Sequence, residues 1–188
     1  DMDGEGSKWN AIPLDVPKLK RIIAAWQGAI DWNTLFLGNH DQPRVVSRFG
    51  DTGSEELWKR SAKCLATLMY LQRGTPFIYQ GEELGMTNAP FETREQLRDV
   101  EELNLLALCK SEAELAWAWR GIKAKGRDNA RTPMQWSAGK NAGFTTGEPW
   151  IMLNPNHTRI NAEAEEQDSD SILNYYRALI ALRNSTPA

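Results

Sequence analysis

Two cysteines and two histidines in 188 residues leave little material for metal or disulfide chemistry. Cys64 and Cys109 stand far apart, each inside a helix-like pattern, and neither has ligand spacing around it, which excludes a zinc site or a disulfide framework as an organising feature. Both thiols are expected reduced and in the core, where cysteine is most often buried. No run of Lys and Arg accumulates on any segment. With 22 basic against 25 acidic residues the net charge is -3, so the electrostatic footprint of a nucleic-acid binder is missing. No apolar stretch approaches the ~20 residues of a membrane span. The start, Asp1-Met2-Asp3-Gly4, has neither the basic nor the apolar region of a signal peptide. No membrane and no nucleic acid are expected as partners, and a cytoplasmic location is expected.

The composition is ordinary for a globular chain, 41% hydrophobic and 25% charged, in a length that allows one good core. Eight tryptophans are unusual for that length. Their rings pack in cores and also stack on the apolar faces of sugars, and core packing is the expectation for most of them.

Residues 1–9 are small, acidic and turn-prone. Beyond Pro13 and Pro17, Leu19, Ile22, Ile23, Trp26 and Ile30 recur at helical spacing and predict an amphipathic helix. Thr34-Leu35-Phe36-Leu37, ended by Gly38, is a short unbroken run of the kind buried on both faces in a parallel sheet. After a turn at 50–53, with Thr52 or Ser54 as N-cap, Leu57, Trp58, Leu65, Leu68, Met69 and Leu71 mark a second long helix that Gly74 stops. Residues 75–80 (TPFIYQ) predict another buried strand, ended by Gly81-Glu82-Glu83. Helix, strand, helix, strand is the order of an α/β parallel sheet. Two such strands do not make a sheet alone, and each requires cover on both faces, so the chain reads as part of a larger domain. Capping boxes at Thr93/Gln96 and Ser111/Glu114 predict a helical excursion over 90–125. From Gly126 the sequence is rich in Gly, Asn, Pro and Thr without a period, a long surface loop over 126–160 of the length usually tied to function. Asp170 is placed to cap a last helix through Tyr175, Tyr176, Leu179, Ile180 and Leu182.

A His-Asp pair directly after a buried strand would lie, in an α/β barrel, on the face where catalytic groups gather. Alone, the dipeptide is better explained by an Asp capping the next turn and a His bonded to backbone. Its neighbours are more specific. Phe36-Leu37-Gly38-Asn39-His40-Asp41-Gln42-Pro43-Arg44 resembles the fourth conserved region of glycoside hydrolase family 13, the α-amylase family. Residues 74–86 (GTPFIYQGEELGM) resemble that family's eighth barrel strand. Residues 126–136 (GRDNARTPMQW), continued by 142–150 (AGFTTGEPW), resemble a loop of its oligo-1,6-glucosidase and α-glucosidase branch. These ordered motifs run over almost the whole chain.

The resemblance implies an α/β fold that is the C-terminal portion of a TIM (β/α)8 barrel, about strands 7 and 8 with their flanking helices, incomplete as a domain. It implies that the N-terminal barrel half and a C-terminal β-domain lie outside the chain, and that Asp1-Met2-Asp3 falls at the end of the sixth strand. The implied activity is retaining hydrolysis of terminal α-glucosidic bonds in short isomaltose- or maltose-type oligosaccharides. The family uses an Asp nucleophile, a Glu acid/base and a second Asp that steadies the transition state. Neither the Arg-x-Asp context of that nucleophile nor the acid/base Glu motif occurs here.

Asp41 is implied as the second Asp, since a carboxylate can hold the hydroxyls of a ring flattened toward an oxocarbenium ion. His40 is implied to bind hydroxyls of the same ring. Arg131 is implied to reach the non-reducing glucose, its fork of donors suiting a carboxylate or paired hydroxyls. Arg127 ranks behind it, and Glu101 resembles a residue lining the aglycone side. The competing accounts are a loop-pinning salt bridge for either arginine and a solvated helix face for Glu101. Glu82 and Glu83 are adjacent and point in different directions, whereas the working carboxyls of a retaining enzyme face each other ~5–5.5 Å apart, so both are expected to be structural. Arg44 and Arg48 follow Asp41 closely enough to stabilise its charge, with Arg48 also fitting the turn, and His157 is expected at the surface.

Trehalose-6-phosphate hydrolase and sucrose isomerase carry nearly the same motifs and stand as alternatives. Sucrose isomerases usually show Arg-Leu-Asp-Arg-Asp where this chain has residues 1–9, which argues against isomerisation. A non-catalytic transporter-associated homologue is the alternative from another class, opposed by the presence of His40, Asp41 and Arg131. No organic cofactor and no metal are expected, since no oxygen-rich loop has a calcium spacing. The expected partner is a small oligosaccharide and the parent protein a monomer. The 188-residue chain by itself is expected to be inactive and poorly folded, with open strand edges and an uncovered barrel interior.

Overall fold

The computed structural model describes residues 3–4 and 6–186, so the implied place of Asp1 and Met2 at a strand end lies outside the described residues. Where the composition suggested only a turn, β1 (Asp3–Gly4) and β2 (Ser7–Ala11) pair antiparallel. The hairpin escapes a pattern reading because a single large apolar side chain, Trp9, anchors it. Trp9 is buried against α5 (Glu112–Lys125), where a Cβ on Gly121 would stand 2.9 Å from the Trp9 carbonyl oxygen. Trp117 Nε1 donates to Asn10 Oδ1 at 2.8 Å beside it.

The first helix, α1 (Val16–Ala29), has Pro17 in its first turn, and Asp15, not singled out in the sequence, caps it by accepting from the Lys18 amide at 2.8 Å. Its apolar stripe is not closed over. No residue of α1 is buried, and Leu19, Ile22, Ile23 and Trp26 border an open cleft of about 420 Å³ whose other wall includes Leu35 and Met69.

β3 (Asn33–Leu35) and β4 (Gly74–Pro76) form the expected parallel pair, in register Asn33 to Gly74 and Leu35 to Pro76. They are shorter than the apolar runs suggest, and they are not buried on both faces: Leu35 is buried, whereas Phe36, Phe77 and Ile78 are exposed. Each strand has one neighbour among the described residues, so one face and one edge lack cover. The chain is a partial α/β unit of a barrel and not a closed barrel. Gly74 does not stop the preceding helix. It opens β4 with φ +142, and a Cβ there would stand 2.3 Å from the Asn33 carbonyl oxygen.

Between the strands lie the short α2 (Val45–Phe49) and the long α3 (Glu55–Tyr70), the latter capped by Ser54. Trp58, Ala62, Ala66 and Met69 of α3 pack against Ile172, Tyr176 and Leu179 of α8 (Ile172–Ser185), with Tyr70 edge-on to Tyr176 at 5.4 Å. The cap of α8 is Ser171, not Asp170. Asp170 pairs with Lys63 at 2.7 Å, fastening α8 to α3 instead. A second apolar cluster, including Trp9, Phe91, Leu97, Leu106 and Ile122, holds α4 (Val100–Leu108) to α5. The Thr93/Gln96 box forms, but over one 3₁₀ turn; α4 begins only after Asp99, which caps it. The Ser111/Glu114 box heads α5.

The stretch from 126 is only partly a surface loop. It contains the four-residue α6 (Asp128–Arg131) and buries Asn129, Gln135, Ile151 and Asn154. α7 (Ala162–Gln167) follows. The cysteine expectation is corrected: Cys64 is exposed, outside the buried stripe of α3, and Cys109 is half-buried. So is that for tryptophan. Trp9 and Trp58 are buried, but Trp26, Trp32, Trp136 and Trp150 are about half exposed. Among the described residues no helix is long and apolar enough to cross a membrane.

Candidate active site

Beyond β3 the chain turns sharply. Asn39 Oδ1 accepts the Asp41 amide at 2.8 Å, a local turn that presents the Asp41 carboxylate outward at the strand's carboxyl end. Pro43 and Arg44 then lead into α2. Arg44 is the buried fastener of this turn and does not touch Asp41, contrary to the expectation from sequence proximity. Its Nη1 donates to the Gln80 carbonyl at 2.6 Å, its Nε to the Asn129 carbonyl at 3.1 Å and its Nη2 to Thr132 Oγ1 at 3.4 Å. The guanidinium thus ties together the ends of both strands and α6. Burial pushes it down to about 10, against the opposing pull of Tyr79, Glu83 and Glu82, so it remains charged at neutral pH. Arg48 donates instead to Gln42 Oε1.

Arg44→Met, which keeps the apolar stem and removes the donors, is expected to lower stability by roughly 3 kcal/mol, because the buried Asn129 carbonyl and the part-buried Gln80 carbonyl lose their partner. The denaturant midpoint of the full-length protein reads this. A loss below about 1 kcal/mol would show that water substitutes for the guanidinium.

The cations that do reach Asp41 come from 86 and 90 positions further along. Arg127 and Arg131 are one helical turn apart, which sets both side chains on one face of α6. Arg131 Nη2 stands 3.0 Å from Asp41 Oδ1, and its Nε donates to the His40 carbonyl at 3.0 Å. Arg127 Nη1 reaches the same Asp41 oxygen at 3.4 Å. His40 Nε2 lies 3.3 Å from the other oxygen, Oδ2. The Asp41 side chain is 47% exposed and that of His40 72%, so both face open space from an anchored loop.

Behind the arginines lies Asp99, a residue the sequence reading passed over. Its side chain is 1% exposed, and Oδ2 accepts from Arg131 Nη1 at 2.7 Å, with Arg127 Nε in ion-pair contact at 2.8 Å but not aligned as a hydrogen bond. Oδ1 accepts from Arg127 Nη2 at 3.1 Å and from the Glu101 and Glu102 amides at 2.9 and 3.3 Å, capping α4. Burial alone would raise this carboxyl. The bonds from Arg127 and the two amides outweigh it and hold Asp99 below the usual carboxylate range. The legible signal was an Asp before a helical run; its long-range partners were not legible.

Glu101 is not merely on a solvated helix face. It pairs with Lys8 and stands 3.5 Å from Arg127 Nη2, closing a chain of alternating charge: Lys8, Glu101, Arg127, Asp99, Arg131, Asp41. Under this chain lies a second, buried acidic layer. Asp128 Oδ2 accepts the Arg98 and Asp99 amides at 2.6 and 2.9 Å, and Glu102 Oε1 accepts the Asp128 amide at 3.0 Å. Burial, with the charges of Asp128 and Asp99 added, pushes the fully buried Glu102 up to about 8.

Glu82 and Glu83 stay out of this network. Glu82 is buried, accepts from the Tyr176 hydroxyl at 3.1 Å and is pushed by burial up to about 7. His157 is half-buried, its Nδ1 3.1 Å from the Asn154 carbonyl. Among the described residues no three His, Cys, Asp or Glu side chains converge as a metal site. The five residues singled out by the sequence, His40, Asp41, Glu101, Arg127 and Arg131, therefore meet in one constellation formed by the loop after β3, the first turn of α4 and α6.

The chain is 49% identical over 191 residues to the oligo-1,6-glucosidase of Bacillus cereus, a match covering 98% of this chain and 34% of the relative. Among solved structures, trehalose-6-phosphate hydrolase of Bacillus licheniformis superposes with a TM-score of 0.91 at 47% identity, over 97% of this chain and 34% of that one. Isomaltulose synthase from Klebsiella sp. LX3 superposes with a TM-score of 0.89 at 42% identity, over 99% and 34%. The chain thus spans about a third of the length of the curated relatives it matches. The model of the α-amylase catalytic domain matches residues 1–188, and with the strand pair and the motifs in place, this chain belongs to the α-amylase family as part of its catalytic domain.

Proposed function

We propose that this chain supplies the transition-state-stabilising Asp and part of the sugar-binding wall of a retaining α-glucosidase acting on terminal α-glucosidic bonds of short isomaltose- or maltose-type oligosaccharides. One observation carries the reading. Asp41, half exposed at the carboxyl end of a parallel strand, is held through one oxygen by Arg131 and Arg127 while Oδ2 faces His40 and open space. Such a carboxylate accepts hydroxyls of a flattening glucosyl ring, and its charge opposes the positive charge that develops on that ring. Arg131 keeps it oriented, and His40 offers a further polar group to the same ring.

In this reading residues 90–125 form a helical excursion from the barrel and 126–160 the active-site loop that delivers both arginines. The nucleophile, the acid/base and the remaining strands belong to the rest of a longer parent chain, as the greater length of the relatives supports. Without them the isolated segment is inactive. The parent is a cytoplasmic monomer with no nucleic-acid partner.

Lys8 and Arg127 are already engaged by carboxylates, and Glu101 adds a negative charge at this rim that opposes a phosphate, which favours a neutral sugar over a phosphorylated one. The test is turnover by the full-length protein of p-nitrophenyl α-glucoside, isomaltose, maltose, sucrose and trehalose 6-phosphate. Fastest turnover of isomaltose or maltose is expected. Preference for trehalose 6-phosphate, or conversion of sucrose to an isomer, would overturn the assignment.

A further inference from the structure

We propose that Asp99 is a positioning residue that divides the two arginines between itself and Asp41, and thereby keeps Asp41 Oδ2 open to a substrate hydroxyl. The proposal rests on the glucosidase reading of this site. The distribution of contacts carries it. Both guanidinium groups touch both carboxylates, but unequally: Arg131 lies 2.7 Å from Asp99 and 3.0 Å from Asp41, and Arg127 2.8 Å and 3.4 Å. Both arginine contacts to Asp41 fall on Oδ1, while Oδ2 faces His40 Nε2 at 3.3 Å.

Asp99 has the advantage for two physical reasons. It is buried, and attraction between charges strengthens as the effective dielectric falls. It is also pre-ordered, since the first amides of α4 grip its Oδ1 and fix the carboxylate plane. Without the Asp99 charge, Asp41 and Glu101 are the remaining anions within reach of the arginines. A guanidinium free to turn onto a carboxylate takes both oxygens in a fork, which would occupy the oxygen now facing His40. Asp99 never touches the open face itself and acts through the arginines.

Capping and charge can be separated, because Asn caps a helix about as well as Asp. In the full-length protein D99N is expected to lower kcat/KM on p-nitrophenyl α-glucoside about 100-fold, the scale of a misplacement near 1 Å at a reacting centre. Adding R127Q to D99N removes the excess cation and is expected to recover about tenfold of that loss, whereas damage from a purely structural defect would accumulate. D99E keeps the charge and is expected to remain within about tenfold of wild type.

A D99N loss below about threefold, or a double variant no better than D99N, overturns the proposal. So does a D99E loss as large as that of D99N, and if D99N does not fold, D99E is judged by the same tenfold limit. The crystal structure of the best-folded charge-neutral variant decides independently of turnover. A guanidinium nitrogen within hydrogen-bond distance of Asp41 Oδ2 is expected, and an unchanged arrangement overturns the proposal. Absence of turnover in the wild type would count against the glucosidase reading alone, since this structural readout does not use catalysis.

Discussion

Asp41→Asn in the full-length protein is expected to lower kcat/KM on a terminal α-glucoside by about 1000-fold, most of it in kcat. Asparagine keeps the size of the side chain and one acceptor for Arg131, so loop geometry and ground-state binding change little. What disappears is the negative charge opposite the developing oxocarbenium ion, an interaction stronger in the transition state than in the ground state. Because the side chain is 47% exposed and its ion pairs are partly solvated, folding stability should barely move, with a melting-temperature change below about 3 °C. Steady-state kinetics and a thermal melt check both halves. A loss under tenfold, or one accounted for by KM alone, would remove Asp41 from the chemistry and leave it as a loop anchor.

Stability is expected to decline as pH rises from about 4.5 toward 8, and Glu102 to be a principal cause. The unfolded carboxyl releases its proton near the ordinary value of 4.5, while in the folded protein burial holds the proton until about 8. Between those limits unfolding releases a proton, so raising the pH favours the unfolded state. Below that window both states are protonated and the penalty vanishes. Above it both are ionised and the full penalty applies, on the order of 5 kcal/mol for a shift of this size. Glu82 and Glu165, each pushed by burial to about 7, act in the same direction.

Glu102→Gln isolates the share of this residue. The amide is neutral at every pH and keeps the acceptor for the Asp128 amide, while Oε2, which has no partner among the described residues, ceases to be a buried charge. Denaturant unfolding at pH 5, 6.5 and 8 is expected to give a flatter profile for E102Q than for wild type, with E102Q the more stable of the two at pH 8. Parallel profiles would show that Glu102 does not retain its proton in the folded state.

Much of the fold was legible because it rests on local rules. The strand after α1, the helix capped by Ser54 and the box at Ser111 and Glu114 involve residues three or four positions apart, where periodicity and capping are visible in one dimension. Illegible elements depended on remote partners. The β1–β2 hairpin needs Gly121 for its seat, and the 126–160 stretch is buried by groups from distant segments. Proximity in sequence also misled: Arg44, three residues from Asp41, serves the strand ends, while the arginines that reach Asp41 come from α6.

By itself, then, the sequence determined the order of the long helices and the parallel strand pair, the family, and the place of His40 and Asp41 at a strand's end, since each of these is written in short motifs and local spacing. Only the tertiary structure decided how the charges pair. It selected Arg127 and Arg131 for Asp41, placed Asp99 beneath them and left Glu102 buried, its carboxyl pushed up by desolvation. The physical reason is that Coulomb attraction and desolvation depend on distances of a few ångströms and on burial, and at Asp41 they join residues 86 and 90 positions apart that no periodicity connects.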